Sequence, residues 1–318
     1  MKQICGLLLL LFVLLFVVSC TPTEATELPT VVPTKVELTN TSVSPTAIPI
    51  VTATLQPPCD PFSTDFCITD GHFILQRPIH PPANDLVDTS YRYGSTANGM
   101  RDPHHGVEFG NPTGTPVYAA ADGVVMFAGS DQEVIYSPWT DFYGNVVVIK
   151  HEEDLFTLYA HLSKTGVQSG QPVSAGDKIG EVGMTGVAIG SHLHFEVRQG
   201  NGQDYYATQN PELWLILAKN IHGSPSGALM ISVVDQNHEL VNSAEYTIRY
   251  HPDQPGQPVE TYYGSTYPAD MLNGEENIAL SDLPAGKYRI AIESNGKVYE
   301  RWAKVESGKL TQVVIIVR

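Results

Sequence analysis

Positive charge is scarce in this 318-residue chain. Eighteen lysines and arginines stand against 34 aspartates and glutamates, for a formal net charge of -16. A nucleic-acid partner needs a basic stripe or patch, so that class is excluded. Long apolar runs are missing beyond the N-terminus. The run from Leu7 to Val18 is short for a membrane-spanning helix, and no charged stop sequence follows it. Aromatic residues are absent from Thr21 to Pro58, where threonine and proline dominate. Such a segment cannot bury a core and reads as an extended, solvated tether. Its prolines favour polyproline II at ~3 Å per residue, a reach on the order of 100 Å.

Lys2, the apolar run and the small residue Ser19 before Cys20 have the layout of an export signal. The stretch "VVSC", Val17 to Cys20, resembles a bacterial lipobox, which implies cleavage before Cys20 and lipid attachment to it. Acyl chains there hold a protein on the outer face of a membrane. Of the four cysteines, signal cleavage would remove Cys5 and the lipobox resemblance implies that lipidation uses Cys20. Cys59 and Cys67 remain as a pair in an exported chain, where disulfides persist. A bridge closing so short a loop contributes ~2 kcal/mol.

From Cys59 to about Ile221 the pattern is β-rich. "TPVYAAADGVVMFAG", "NVVVIKH", "LFTLYAHL" and "HLHFEVR" are strand-like runs separated by glycine-rich turns. One helix is expected near the end, with Asn210 as cap, Pro211 in the first position, "ELWLILAKNI" as its body and Gly223 as its stop. Residues 227–318 alternate like the strands of a small antiparallel sandwich, with "LPAGKY" as a turn into a strand.

Histidine concentrates in "RDPHHGVEFG", "YAHLS" and "SHLHFEVR". In a strand, residues i and i+2 share a face, so His192 and His194 project together, opposite Leu193 and Phe195. A hydrolytic zinc site takes three protein ligands and leaves a position for water. His104 and Glu108 flank Gly106, where a short turn would aim both at one ion. One histidine of the His-x-His pair completes two imidazoles and a carboxylate. Histidine also suits proton transfer and oxyanion stabilisation at neutral pH. Among the neighbours, His105 is expected to point elsewhere and His151 to be a structural strand-end residue. Tyr159 reads as packed core. Glu196 extends the His194 face, as a partner of a ligand histidine or as a solvated carboxylate. The insert from Asp131 to Phe142 carries aromatics and acids beside the groove, or forms an ordinary loop.

The ordered series "HHGVEF", "GTPVYAAADGVV", "YGNVVVIKH", "LYAHLS", "GVQSGQPVSAGDKIGEVGMTG" and "SHLHFEVR" resembles the lysostaphin-type zinc endopeptidases, which cut peptide cross-links in bacterial cell walls. The likeness covers roughly Arg101 to Arg198. It implies a two-sheet antiparallel β architecture with a groove over one Zn2+ per chain. It also implies His104, Glu108 and His194 as metal ligands, with His161 and His192 as the catalytic pair. The family usually has aspartate where Glu108 stands. Residues 227–318 resemble carboxypeptidase-regulatory-like and other transthyretin-like domains.

The expected chain is therefore mainly β. A lipoprotein-type signal (1–20) and a tether (21–58) precede a metallopeptidase domain (59–223, motif core 101–198) and a β-sandwich (227–318). The expected function is that of an envelope-located endopeptidase acting on peptidoglycan peptides. The membrane is its partner through Cys20, and the tail is an accessory module with a wall or carbohydrate ligand. Two readings compete: a metal-free relative that binds and activates another wall hydrolase, and a surface binder working through the tail. Zinc occupancy, hydrolysis and removal of residues 225–318 separate them.

Overall fold

A computed structural model describes residues 59–132, 136–252 and 259–318. The export signal, Cys20 and the tether lie outside the described residues. Among those described, no helix is long and apolar enough to cross a membrane.

Strand formation follows two sequence patterns. Asn145–Lys150 carries an unbroken apolar run and is buried on both faces. Val147 and Ile149 enter one apolar cluster, while Val146 and Val148 enter another. Such a strand belongs at the centre of a covered sheet. His192–Gln199 instead alternates. Its apolar side, Leu193, Phe195 and Val197, packs into the first cluster with Val107, Phe109 and Tyr159. Burying a side chain such as Phe195 stabilises the fold by about 2–3 kcal/mol.

These strands lie in a seven-stranded antiparallel sheet. Its order is Thr208–Gln209, His192–Gln199, Leu155–Leu162, Asn145–Lys150, Gly123–Ser130, Pro172–Val173, and Val107–Gly110 also pairs with His192–Gln199. A three-stranded sheet of Pro116–Tyr118, Lys178–Glu181 and Lys164–Thr165 accompanies it. The mainly β, antiparallel expectation holds here.

The C-terminal region contains two four-stranded sheets that share one apolar cluster. One contains Thr261–Ser265, Glu245–His251, Gly286–Ser294 and Lys297–Val305. The other contains Cys67–Thr69, Leu310–Ile316, Ser226–Val234 and Ile278–Pro284. One pairing, Ser226–Val234 with Leu310–Ile316, is parallel. The short Cys67–Thr69 strand ties the start of the described chain to this sheet. The disulfide joins Cys59 to Cys67 with the Cα atoms 5.7 Å apart.

The expected helix after Asn210 is corrected. Asn210 does cap, accepting a hydrogen bond from Glu212 N at 2.9 Å, and Pro211 does stand first. Only a single 3-10 turn, Pro211–Leu213, follows. The chain then runs extended, because Leu75 takes its backbone: Leu75 N donates to Trp214 O and Ile216 N to Leu75 O. A short apolar run reads equally as helix or strand, and a long-range partner decided it. Gly223, at φ +73, closes a tight turn on Asn220 O instead of ending a helix.

Candidate metal centre

Val107–Gly110 pairs with His192–Gln199 in a register that sets Glu108 directly opposite His194. Glu108 is thus on a strand, and the expectation that a turn at Gly106 aims it is corrected. Gly106 has a different use. A Cβ there would sit 2.5 Å from Phe195 O and 2.8 Å from His194 Cε1. Only glycine lets the chain pass against the His194 ring.

His104 reaches the same point from the preceding loop. Its Nε2 lies 2.9 Å from Glu108 Oε1 and 3.2 Å from His194 Nδ1, and His194 Nδ1 lies 3.0 Å from Glu108 Oε1. Two imidazole nitrogens and a carboxylate oxygen form this triangle, and these three residues have the grouping of metal ligands. Tetrahedral coordination at ~2.0–2.1 Å needs edges of about 3.3 Å, close to the observed separations. The electrostatics agree. Burial raises the Glu108 carboxyl, yet His194 and His104 outweigh it and hold it well below the carboxylate range. Burial disfavours a charged His194, yet Glu108 and Glu196 raise it to about 10. A positive charge is thus strongly favoured inside the triangle. Glu108 Oε2 is buried and accepts no hydrogen bond among the described residues, with the ionisable His192 Nε2 3.1 Å from it. A cation would satisfy these donors together, so the residues fit a divalent metal.

His192 and His161 flank the triangle, their ring centroids 4.9 Å apart. Each is oriented through Nδ1 by a backbone carbonyl: His192 by Gly190 O at 3.0 Å, His161 by Thr185 O at 2.9 Å. Donation from Nδ1 leaves Nε2 as the basic atom. Burial lowers His161 to about 3, with His194 adding to the effect. His161 reaches the site only through a break in its strand. Ala160 pairs with His194, so a regular pleat would turn His161 to the opposite face. At φ +59 His161 is left-handed, and the register shifts alongside. The break turns its ring toward His194, 5.6 Å away.

Behind His194 stands a buried polar chain. His194 Nε2 is 3.0 Å from Glu196 Oε1, and Glu196 accepts from Arg198 Nε at 2.7 Å. The Tyr143 hydroxyl donates to Glu196 and accepts from Arg198. Glu196 and Arg198 are fully buried. Burial raises Glu196, but Arg198 and His194 bring it down to about 2. A hydrogen bond on the second ring nitrogen fixes a ligand histidine's orientation. The alternation placed Glu196 on the His194 face; nothing local signalled Arg198, Tyr143 or Thr185.

The remaining candidates fall away from the triangle. His105 turns to Thr208 Oγ1 at 3.1 Å and packs against Tyr205, as expected. His151 is structural, bonded to Asp122 O and to Thr157 Oγ1, both at 2.7 Å. Tyr159 is core, and its hydroxyl accepts from Ala120 N. The groove over the triangle encloses about 550 Å³. The insert contributes Phe142 to its wall, with Trp139 packed between Phe142 and Tyr205.

Residues 102–206 match the profile of peptidase family M23. The chain is 40% identical to the peptidoglycan DD-endopeptidase ShyA of Vibrio cholerae over 35% of its own length and 26% of ShyA. It is 45% identical to the DD-carboxypeptidase/endopeptidase Mpg of Neisseria meningitidis serogroup B over 31% of its own length and 21% of Mpg. It therefore spans about a quarter or less of these relatives. A solved structure of a zinc-containing peptidase from Vibrio cholerae aligns at 31% identity and a TM-score of 0.33, covering 41% of this chain and 40% of that one. The chain carries a peptidase family M23 domain of the LytM-like type, and the His104, Glu108 and His194 triangle lies within its matched residues.

Proposed function

We propose that this chain is a zinc-dependent endopeptidase that hydrolyses peptide bonds of bacterial peptidoglycan. The triangle of His104, Glu108 and His194 at the floor of an open groove carries the reading. The names of ShyA and Mpg support the substrate class. When bound, zinc supplies a Lewis acid that polarises a carbonyl and lowers the pKa of water toward ~7.

The chain's own residues do the rest. His161 and His192 bring their Nε2 atoms to the groove from two sides. One of them takes a proton from the attacking water, and the other, carrying a proton at Nε2, donates it in a hydrogen bond to the tetrahedral oxyanion. Water oxygen bonds to the carbonyl carbon, the C–N bond breaks, and the proton ends on the departing amine. Glu196 and Arg198 keep His194 in one orientation throughout. Phe142 and Tyr205 give the groove an apolar wall against which a peptide side chain packs. The lipobox-like Cys20 and the tether place the enzyme at the outer face of the membrane, within reach of the wall.

Purified peptidoglycan digested by the full chain should release fragments whose masses show new amino and carboxyl termini. A chelator should stop the release and added zinc should restore it. Fragment release that a chelator leaves untouched, or none at all from zinc-loaded protein, refutes the proposal.

A further inference from the structure

The accessory reading treats residues 227–318 as a module apart from the chemistry. A run of buried contacts says otherwise. His104 Nδ1 faces the backbone carbonyl of Arg92 at 3.3 Å, so Arg92 O orients the first ligand histidine. The backbone is clamped on either side: Gly94 N donates to His104 O at 2.8 Å, and His104 N to Ser95 O at 3.0 Å. Tyr91 stacks on the His104 ring, with centroids 4.1 Å apart.

The side chain of Arg92 leaves in the opposite direction. Its guanidinium pairs with Glu212, which is fully buried, and lies over the Tyr262 ring of the C-terminal sheets. Glu212 Oε2 also accepts from Ser281 N at 2.7 Å and from Ser281 Oγ at 3.0 Å. Ser281 belongs to Ile278–Pro284, a strand of the C-terminal region. Next in the chain, the Tyr93 hydroxyl donates to Thr208 O and its ring meets Tyr267 edge-on. The path therefore runs from Ser281 through Glu212 and Arg92 to the ring nitrogen of His104.

We infer that the C-terminal region is a built-in brace of the metal centre, and that Arg92 and Glu212 are positioning residues for His104. Resting on the metal reading above, this adds that the tail sets the affinity and geometry of the site. A charged pair buried at the junction fixes where Arg92 O sits. Residues supporting a ligand histidine change metal affinity about 10–100-fold when removed.

The test uses the full chain and two metals. Zn2+ affinity is read by competition with a chromophoric chelator, and Co2+ by its visible absorption, which reports ligand geometry. Arg92→Met should bind Zn2+ about tenfold more weakly and shift the Co2+ bands, with the far-ultraviolet circular dichroism kept. Arg92→Lys, which keeps the charge opposite Glu212, should recover most of the affinity. Glu212→Gln keeps the side-chain shape and decides the question if Arg92→Met does not fold. A merely structural role lowers the melting temperature of these variants but leaves affinity and spectrum unchanged, and that result overturns the inference. Failure of the parent chain to bind Zn2+ instead sinks the metal reading, and the inference with it.

Discussion

Glu108 and His194 face each other as direct partners across one antiparallel strand pair, with Oε1 and Nδ1 3.0 Å apart. Sheet register, rather than loop geometry, thus sets the distance between two of the three groups proposed to hold the metal. A slip by one residue would turn one of them to the opposite face.

Glu108→Gln keeps the shape and removes the charge. The supporting residues around a metal site are each worth about 10–100-fold in affinity, so loss of the ligand carboxylate should exceed about 100-fold. Chelator competition measures it. Retained affinity would mean that the triangle is not the metal site.

Gly106→Ala forces a methyl group against Phe195 O and the His194 ring. Overpacking of this kind costs about 1–3 kcal/mol. Urea unfolding should show that loss, with weaker zinc binding because His194 is displaced. A substitution at Gly110, where a Cβ meets nothing within 4 Å, should do neither.

Glu196→Gln leaves the Arg198 guanidinium buried without its carboxylate. Breaking a buried pair costs about 3–5 kcal/mol. The double variant Glu196→Gln, Arg198→Met should be less destabilised than the sum of the two single changes. A double-mutant cycle in urea checks the sign of that coupling. Strict additivity would show that the pair does not act as a unit.

His151 predicts a pH dependence. Burial lowers its pKa from the ordinary 6.5, against the hydrogen bond to Asp122 O. The unfolded chain then binds the proton more readily than the folded one. Stability is complete above pH 6.5 and falls as pH drops below it toward the folded pKa. Comparing urea midpoints at pH 7.5 and 5.5 for the parent and His151→Gln isolates the effect. The variant should lose less stability on acidification. Equal losses would mean that His151 titrates alike in the folded and unfolded chain.

Much of the site was legible in the residues. The alternation of "HLHFEVR" placed His192, His194 and Glu196 on one face and Leu193 and Phe195 on the other, and the resemblance assigned the ligands. The reading of Glu108 failed in its local setting, because a carboxylate two residues after a glycine looks like part of a turn until its strand partner is known. The helix expected after Asn210 failed for a similar reason. Its cap and proline were correct, but Leu75, far away in sequence, claimed the backbone hydrogen bonds.

The sequence by itself determined the β-rich class, the disulfide pair and the shared face of the two histidines, because each follows from local periodicity or from a short spacing. Tertiary structure alone decided three things: that Glu108 stands opposite His194, that a left-handed residue turns His161 into the groove, and that Ser281, Glu212 and Arg92 lead from the tail to His104. All three depend on pairing between segments distant along the chain, and the period of a single strand carries no information about its neighbours.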